Sequence, residues 1–360
     1  MQPTALHPAD HGRDHDRDGD DHDDHDAAVL LARAREHADP VLRDAVATLP
    51  AAMRLIASYH LGWCRADGTR ADGDAGKALR PALVLAAARA FGARAQDAAR
   101  PAAAVELVHN FTLLHDDVMD RDAVRRHRPT AWTVFGQNAA ILAGDALHAL
   151  ALRVLAEDPH PAARPAAARL AACVAELCEG QHADCSFETR EEVSLPECLA
   201  MAQAKTGALL GAACALGALY AGAPPPAVAA MDAYGREVGL AFQLVDDLIG
   251  IWGDPAVTGK PAGADLAARK KSLPVVAALA CGDPAAARLA ALYREPGALT
   301  GEQVRAAADA VERAGGRAWA QVQAAEHMSA AVDHLARAAP GPQAAGDLLT
   351  LAELITRRDR

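Results

Sequence analysis

Aromatic side chains and paired cysteines are both scarce in this 360-residue chain. Aromatic residues make up 4% of the sequence, and the seven cysteines are odd in number and form no CxxC pair. Such a set argues against a disulfide framework and a zinc site, and predicts buried thiols in a reducing compartment. No basic-then-apolar leader begins the chain, and no uncharged apolar run reaches about 18 residues. These absences predict a cytoplasmic protein without a transmembrane segment.

Positive charge is also in deficit. The formal net charge is -11, which argues against nucleic-acid binding because phosphate contacts need a basic face. Residues 1–26 hold nine Asp and five His against two Arg, a net -7, so the rest of the chain carries -4. This acidic His/Asp-rich segment has almost no hydrophobic side chains to bury. We therefore predict a disordered tail over residues 1–26 and one folded domain over residues 27–360.

Alternating strand patterns are not evident after this segment. Instead, apolar residues recur at spacings of three and four, as in Leu79, Leu83, Val84 and Ala87. Gly- and Pro-rich breaks interrupt these runs at 65–76, 221–226, 253–265 and 339–347. The pattern predicts an all-α fold, a single large bundle of about ten or more helices around a central cavity.

Two pairs of adjacent aspartates each follow a strongly apolar helical run. In LLHDDVMD, the side chains of Asp116, Asp117 and Asp120 are expected to converge at a helix end. In FQLVDD, Asp246 and Asp247 repeat the arrangement. Carboxylates this close repel one another unless a cation lies between them, and Mg²⁺ prefers carboxylate oxygens. A solvent-exposed helix end would explain one pair, whereas two pairs predict metal ions between facing helices.

Cationic residues accompany both pairs. They follow the first pair directly and recur in Gly-, Pro- or Ala-rich stretches: Lys77, Arg80, Arg125, Arg126, Lys205, Lys260 and Lys270. Guanidinium groups bind phosphate bidentately and a metal bridges phosphate to carboxylate, so this combination indicates a polyphosphate ligand. No GxxxxGK[ST] loop is present, which excludes a P-loop nucleotide site. A diphosphate site at the mouth of an apolar helical cavity fits an isoprenoid diphosphate.

A series of segments resembles the trans-isoprenyl diphosphate synthases, the polyprenyl synthetase family, over residues 40–360. They are AGKALRP, VELVHNFTLLHDDVMDRDAVRRHRPT, ILAGDALHALAL, CEGQHADCSF, KTGALLGAACALGA and FQLVDDLIGIWGDPAVTGKPAGADLAARKKSLPVV. The resemblance implies the isoprenoid synthase fold and condensation of isopentenyl diphosphate with an allylic diphosphate. It also implies a homodimer and about three Mg²⁺ ions per active site.

The resemblance gives each candidate residue a role. The metal ligands would be Asp116, Asp117, Asp120, Asp246 and Asp247. The allylic diphosphate would contact Arg125, Lys205, Gln243, Lys260 and Lys270, and isopentenyl diphosphate would contact Lys77, Arg80, His109 and Arg126. Thr206 and Gln243 would stabilise a carbocation. The residues expected to act in catalysis are Asp116, Asp117, Lys205, Gln243 and Asp246.

The chain departs from the family pattern at two positions. Ala78 replaces a basic residue of the GGKRLRP element, and Gly250 replaces the last Asp of the second DDxxD, with Asp254 a turn further on. Bulk just before Asp116 is expected to limit product length. There, large Phe111 beside small Thr112 resembles geranylgeranyl-forming enzymes, so we expect a twenty-carbon product ahead of a fifteen-carbon one.

Two other functions share part of this pattern. A class I terpene cyclase would also have an all-α cavity and an aspartate-rich metal site, but GKALRP, His109 and Arg126 would be unexplained. A non-catalytic regulatory subunit is favoured by Gly250 and opposed by the intact first aspartate motif. The N-terminal segment offers a separate hypothesis. Such extensions resemble those of enzymes packaged in encapsulin-type shells, so a shell-protein partner is the alternative to an inert tail.

Overall fold

The structure is a computed structural model that describes residues 18–71, 73, 76–255, 262–295, 297–338 and 342–356, without the side chains of 18–26 and 342–344. The predicted tail falls mainly outside these residues. Residues 1–17 are not described, and the backbone of the first helix begins at Asp18. The boundary of the tail at residue 26 therefore stays a prediction.

Helices form nearly all the regular structure of the described residues. The first half of the chain contains α1 (Asp18–Ala47), α2 (Ala51–His60), α3 (Leu79–Ala90), α4 (Ala99–Met119), α5 (Ala131–Phe135), α6 (Gln137–Ala156) and α7 (Ala163–Thr189). The second half contains α8 (Leu195–Ala202), α9 (Ala208–Tyr220), α10 (Pro225–Trp252), α11 (Ala264–Ala267), α12 (Leu273–Ala280), α13 (Pro284–Arg294), α14 (Gly301–Arg313), α15 (Gly316–Ala338) and α16 (Pro342–Thr356). The prediction of an all-α bundle is confirmed.

Three short elements complete the description. A 3₁₀ turn, Ala95–Ala98, precedes α4, and a π-helical turn, Gln203–Gly207, joins α8 to α9. After α4, β1 (Val124–Arg125) pairs with β2 (Arg128–Pro129) as a two-residue antiparallel ladder. This hairpin turns the basic residues that follow α4 back towards the helix end.

Local sequence signals explain several helix boundaries. Helix α8 begins with a capping box, in which Ser194 and Glu197 satisfy each other's backbone N–H groups. The predicted breaks at 221–226 and 339–347 extend too far along the chain. Helix α10 already begins at Pro225, and α16 at Pro342. Proline is well tolerated in the first helical turn, where its missing N–H group has no intrahelical partner.

The core is built around α4 and α9. Every residue of α9 except Leu219 is buried, and α9 packs against α3 on one side and α10 on the other. Helix α4 packs against α6, and α10 packs against α15. Many of the buried side chains are alanines, which lets helix backbones approach closely.

Two segments, Gln137–Ala156 and Leu195–Tyr220, are long and apolar enough to cross a membrane by length and composition alone. Within the bundle, 44% and 72% of their apolar windows are buried. Core helices of globular bundles pass the same test, so the two segments are weak evidence for a membrane span.

The seven cysteines are all free thiols. Cys64, Cys173, Cys198 and Cys214 are buried, as the sequence predicts. Cys178 and Cys281 are exposed, so the prediction of buried thiols is wrong for these two.

Candidate active site

The first acidic cluster lies where α4 ends. The Asp120 N–H group donates to the Asp116 carbonyl oxygen over 2.8 Å and closes the last turn. Asp117 is 1% exposed, and its Oδ1 accepts a hydrogen bond of 2.7 Å from Arg125 Nε on the hairpin. Its Oδ2 is buried without a hydrogen-bond partner among the described residues. Asp117 thus faces the basic hairpin, whereas Asp116 lines an apolar cavity beside α4.

Burial disfavours the ionised form of the carboxylates in this cluster. Burial raises the pKa of Asp116 to about 6, and the neighbouring Asp120 adds to this effect while Lys205 opposes it. Burial likewise raises the pKa values of Asp117 and Asp120. Carboxyl groups in this state bind a cation favourably, because the cation relieves both desolvation and mutual repulsion.

Lys205 provides a second cation beside the first cluster, where its charge acts on Asp116 and Asp120. Its Nζ donates a hydrogen bond of 2.6 Å to Asp184 Oδ2 on α7. Burial lowers the pKa of Lys205, but the charges of Asp184 and Asp116 outweigh burial, and the pKa is raised. The ammonium therefore stays charged near neutral pH and faces both α4 and α7.

A close contact between α7 and the π-helical turn positions this lysine. A Cβ atom on Gly180 would lie 2.5 Å from the Lys205 backbone nitrogen, so only glycine fits there. The sequence reasoning did not single out Asp184, although it lies within the CEGQHADCSF segment. The sequence gives little indication that Asp184 pairs with Lys205, because 21 residues separate the two.

The second acidic cluster, on α10, is held by a chain of hydrogen bonds. Thr206 Oγ1 donates to Gln243 Oε1 over 2.7 Å, and Gln243 Nε2 donates to Asp247 Oδ1 over 2.8 Å. The Leu273 N–H group donates to Asp247 Oδ2 over 2.8 Å. Asp247 is 3% exposed, and burial raises its pKa to about 6. Asp246, its neighbour, is exposed.

The charges of both acidic clusters interact with the same lysine. Burial lowers the pKa of Lys270, but the charges of Asp247, Asp265, Asp184 and Asp246 outweigh it, so the pKa is raised. Lys270 also acts on Asp120, where it opposes the rise in pKa that burial produces. The ends of α4 and α10 therefore share one electrostatic region.

The cationic residues after α4 and around the start of α3 form a basic face beside the first cluster. Burial and the charges of Arg80, Arg126 and Arg125 lower the pKa of His109 well below its usual value. The guanidinium of Arg126 lies against Gly76 in the loop before α3. Lys77 is exposed on the same loop. Lys260 lies outside the described residues.

A histidine that the sequence reasoning missed belongs to this basic face. His60, at the end of α2, lines a small cavity of about 20 Å³ with Arg125, Arg126 and Arg128. Burial and these three arginines lower its pKa to about 3, so His60 is neutral near pH 7. Because 65 residues separate His60 from Arg125, its place here depends on the packing of α2.

An apolar cavity of about 350 Å³ extends from Asp116 along α4. Its polar lining includes Lys205, Thr206, Arg80 and His109. On α4 it is also lined by Phe111 and Thr112. Phe111 is 7% exposed. Its ring stacks on His148 of α6, with centroids 5.2 Å apart, and meets the His115 ring edge-on at 4.9 Å. Thr112 Oγ1 donates a hydrogen bond of 2.8 Å to the His109 carbonyl oxygen.

The acidic clusters suit Mg²⁺ in the chemistry of their donors. In the described part of the chain, no three His, Cys, Asp or Glu side chains converge closely enough to form a metal site by themselves. Mg²⁺ takes few protein ligands and completes its octahedron with water and phosphate oxygens. The carboxylates present therefore fit Mg²⁺ bound together with a diphosphate.

An all-α bundle with acidic and basic groups at the mouth of an apolar cavity defines an enzyme class that acts on diphosphate esters of hydrocarbon chains. Residues 70–311 match the polyprenyl synthetase family. The chain belongs to that family and is a prenyltransferase.

Individual relatives cover almost the whole chain. The geranylgeranyl diphosphate synthase of Mycobacterium tuberculosis is 52% identical, over 92% of this chain and 94% of its own length. A (2E,6E)-farnesyl diphosphate synthase of the same organism is 47% identical, over 91% and 92%. The crystal structure of a polyprenyl synthetase from Streptomyces coelicolor superposes with a TM-score of 0.87 at 45% identity, covering 91% of this chain and 98% of that one.

Proposed function

We propose that the protein condenses isopentenyl diphosphate with an allylic diphosphate, with geranylgeranyl diphosphate as the expected product and farnesyl diphosphate as the alternative. The observation that carries the proposal is that Asp116 and Lys205 line the same apolar cavity as Phe111. A diphosphate at the charged end would place its hydrocarbon chain in the apolar part.

The charged residues would hold and then release the allylic diphosphate. Of the five predicted metal ligands, Asp116, Asp120 and Asp246 would hold Mg²⁺, which when bound neutralises charge that develops on the departing diphosphate. Lys205 and Lys270 would donate hydrogen bonds to the same oxygens, since their raised pKa values keep them cationic. Arg125, fixed by Asp117, and Lys260 would add further contacts. Asp117 and Asp247 are proposed as supporting residues instead, because their oxygens accept hydrogen bonds within the protein.

The second substrate would bind at the basic face. Arg80, Arg126 and Lys77 would contact the isopentenyl diphosphate. His109 would take part as a neutral donor, because its lowered pKa leaves it uncharged near pH 7. In this proposal the allylic diphosphate depends on the metal ions, whereas the isopentenyl diphosphate is held by basic residues alone.

The chemistry between these halves would depend on excluding water. Loss of the diphosphate leaves an allylic carbocation, which the isopentenyl double bond attacks before a proton leaves. The oxygens of Thr206 and Gln243 would stabilise that cation. The hydrogen bonds linking Thr206, Gln243 and Asp247 fix their orientation in advance. The departed diphosphate is the proposed proton acceptor.

The test is a product analysis with purified full-length protein, Mg²⁺, labelled isopentenyl diphosphate and dimethylallyl, geranyl or farnesyl diphosphate. Mass spectrometry should show a twenty-carbon diphosphate as the main product. Arg126→Ala should raise KM for isopentenyl diphosphate and leave KM for the allylic substrate nearly unchanged. No extended product with any primer would contradict the proposal and favour a regulatory subunit. A cyclic hydrocarbon from farnesyl diphosphate alone would favour a terpene cyclase.

The proposed setting is a cytoplasmic homodimer, as the family resemblance implies. Docking of residues 1–26 to a shell protein stays a hypothesis for a segment that lies mainly outside the described residues. Deletion of residues 1–26 should leave turnover unchanged. A loss of turnover on deletion would give the tail a catalytic role.

A further inference from the structure

Gly250 occupies a position on α10 where the family pattern has a carboxylate. It lies one helical turn beyond Asp246, so both residues are on the same face of the helix. A Cβ atom built on Gly250 would lie 2.2 Å from Asp265 Oδ2 and 2.5 Å from Asp265 Cγ. The space that a side chain at position 250 would enter is therefore filled by the carboxylate of Asp265.

The backbone around Asp265 is anchored on both sides. Asp265 lies in the first turn of α11, and the Lys270 N–H group donates to its carbonyl oxygen over 2.8 Å. The next residue, Leu266, is 0% exposed and packs with Ile251 and Val275 in a separate core cluster. Such packing allows a short helix to hold one carboxylate in a defined place.

Asp265 belongs electrostatically to the second acidic cluster. Burial raises the pKa of Asp247, and the charge of Asp265 contributes to that rise. The same charge, after that of Asp247, helps to keep Lys270 protonated. Asp254 does not take this place, because it follows the end of α10 at Trp252 and is exposed.

We propose that Asp265 supplies the third carboxylate of the second acidic cluster, and that Gly250 is required because its missing side chain admits that carboxylate. The role is one of positioning: Asp265 would orient the ions and water around Asp246 and set the position of Lys270. The proposal deepens the function proposed above and depends on the same site.

An exchange of the two positions tests this. The variants are Asp265→Asn, Gly250→Asp, the double variant Gly250→Asp/Asp265→Ala, and the control Asp309→Asn, which removes an exposed carboxylate on α14. Binding of Mn²⁺ in the presence of inorganic pyrophosphate is measured by electron paramagnetic resonance. The Mg²⁺ concentration for half-maximal turnover and the thermal unfolding midpoint are recorded in parallel.

Asp265→Asn should weaken Mn²⁺ binding about tenfold, the lower end of effects seen when groups that orient metal ligands are removed. Gly250→Asp alone should weaken binding and lower the unfolding midpoint, because two carboxylates would compete for one space. The double variant should recover most of the lost affinity. A purely structural role for Asp265 would not give that recovery.

Two results would overturn the proposal. One is an Mn²⁺ affinity of Asp265→Asn equal to that of Asp309→Asn. The other is a folded double variant with no better affinity than Asp265→Asn; if the double variant does not fold, the isosteric Asp265→Asn decides alone. The Mn²⁺ affinities are independent of prenyl transfer, so an inactive protein that still shows the exchange in Mn²⁺ binding would contradict the proposed function and support the role of Asp265.

Discussion

The ends of α4 and α10 carry the same Asp-Asp dipeptide in two different states. On α4, the carboxylates of Asp116 and Asp120 have no hydrogen bond to any described residue, and Asp116 faces the cavity. On α10, both oxygens of Asp247 accept hydrogen bonds, from Gln243 and from the Leu273 N–H group. Only Asp246 is exposed there.

From this difference we propose that the α4 cluster binds the ligand, whereas Asp247 supports the structure. Burial raises the pKa values of the α4 cluster, so a bound cation would stabilise its ionised carboxylates. On α10, the second aspartate instead joins α10 to the start of α12 and to the π-helical turn through Gln243. We therefore infer that the Asp-Asp motif, although it is the same in sequence on both helices, contains residues with different roles.

The largest effect is expected at the α4 cluster. Asp116→Asn should lower kcat by roughly 10²–10³-fold, the size typical for loss of one electrostatic contact to a leaving group. The unfolding midpoint should not fall, because the raised pKa means that the ionised Asp116 carboxylate is poorly solvated. Steady-state assays and thermal unfolding check both parts. A fall in both quantities would show that Asp116 is structural, as proposed for Asp247.

At the α10 cluster, the larger effect should be on stability. Asp247→Ala would leave Gln243 Nε2 and the Leu273 N–H group without their acceptor, at a cost of about 2–4 kcal/mol in unfolding free energy. Asp246→Ala should leave stability nearly unchanged, because Asp246 is exposed. Urea denaturation measures both variants. Equal destabilisation by the two would remove the distinction between them.

The stability of the metal-free protein should depend on pH through both clusters. Asp116 and Asp247 have native pKa values of about 6, above the usual value of 3.8. Because the native state then binds more protons between pH 4 and 6, this contribution to stability is full below about pH 4 and is lost as pH rises through about 6. Unfolding midpoints measured across this range should fall less for Asp116→Asn than for the unmodified protein. An identical pH profile would contradict the assignment to Asp116.

Replacement of Phe111 is expected to have the smallest effect on the reaction rate and the clearest effect on product chain length. Phe111→Ala removes the ring that stacks on His148 beside the cavity, so the product should lengthen by at least one isoprene unit. Mn²⁺ binding should stay unchanged, because the ring lies on α4 away from the carboxylates. Thr112→Ala is the matched control and should keep the original product. Mass spectrometry of the products decides, and unchanged length would exclude Phe111 as the limit.

Much of the site can be predicted from the sequence because its signals are local. The DDxxD spacing, the basic residues after it and the Gln-x-x-Asp-Asp stretch each lie within one helix or one turn, where helical periodicity places side chains on a common face. Asp184, Asp265 and His60 could not be found this way. Each joins the site from a separate element, and a lone Asp or His in a helical pattern carries no signal for the contact it makes.

Periodicity and spacing are properties of short segments, and they were enough to predict the helical bundle, the two acidic clusters and the family resemblance. Helix packing, in contrast, set which aspartate faces the cavity, which one accepts a hydrogen bond from Leu273, and which carboxylate fills the space beside Gly250. The physical reason is that burial and hydrogen-bond partners arise from the packing of distant helices, and these set both the charge state and the task of each carboxylate.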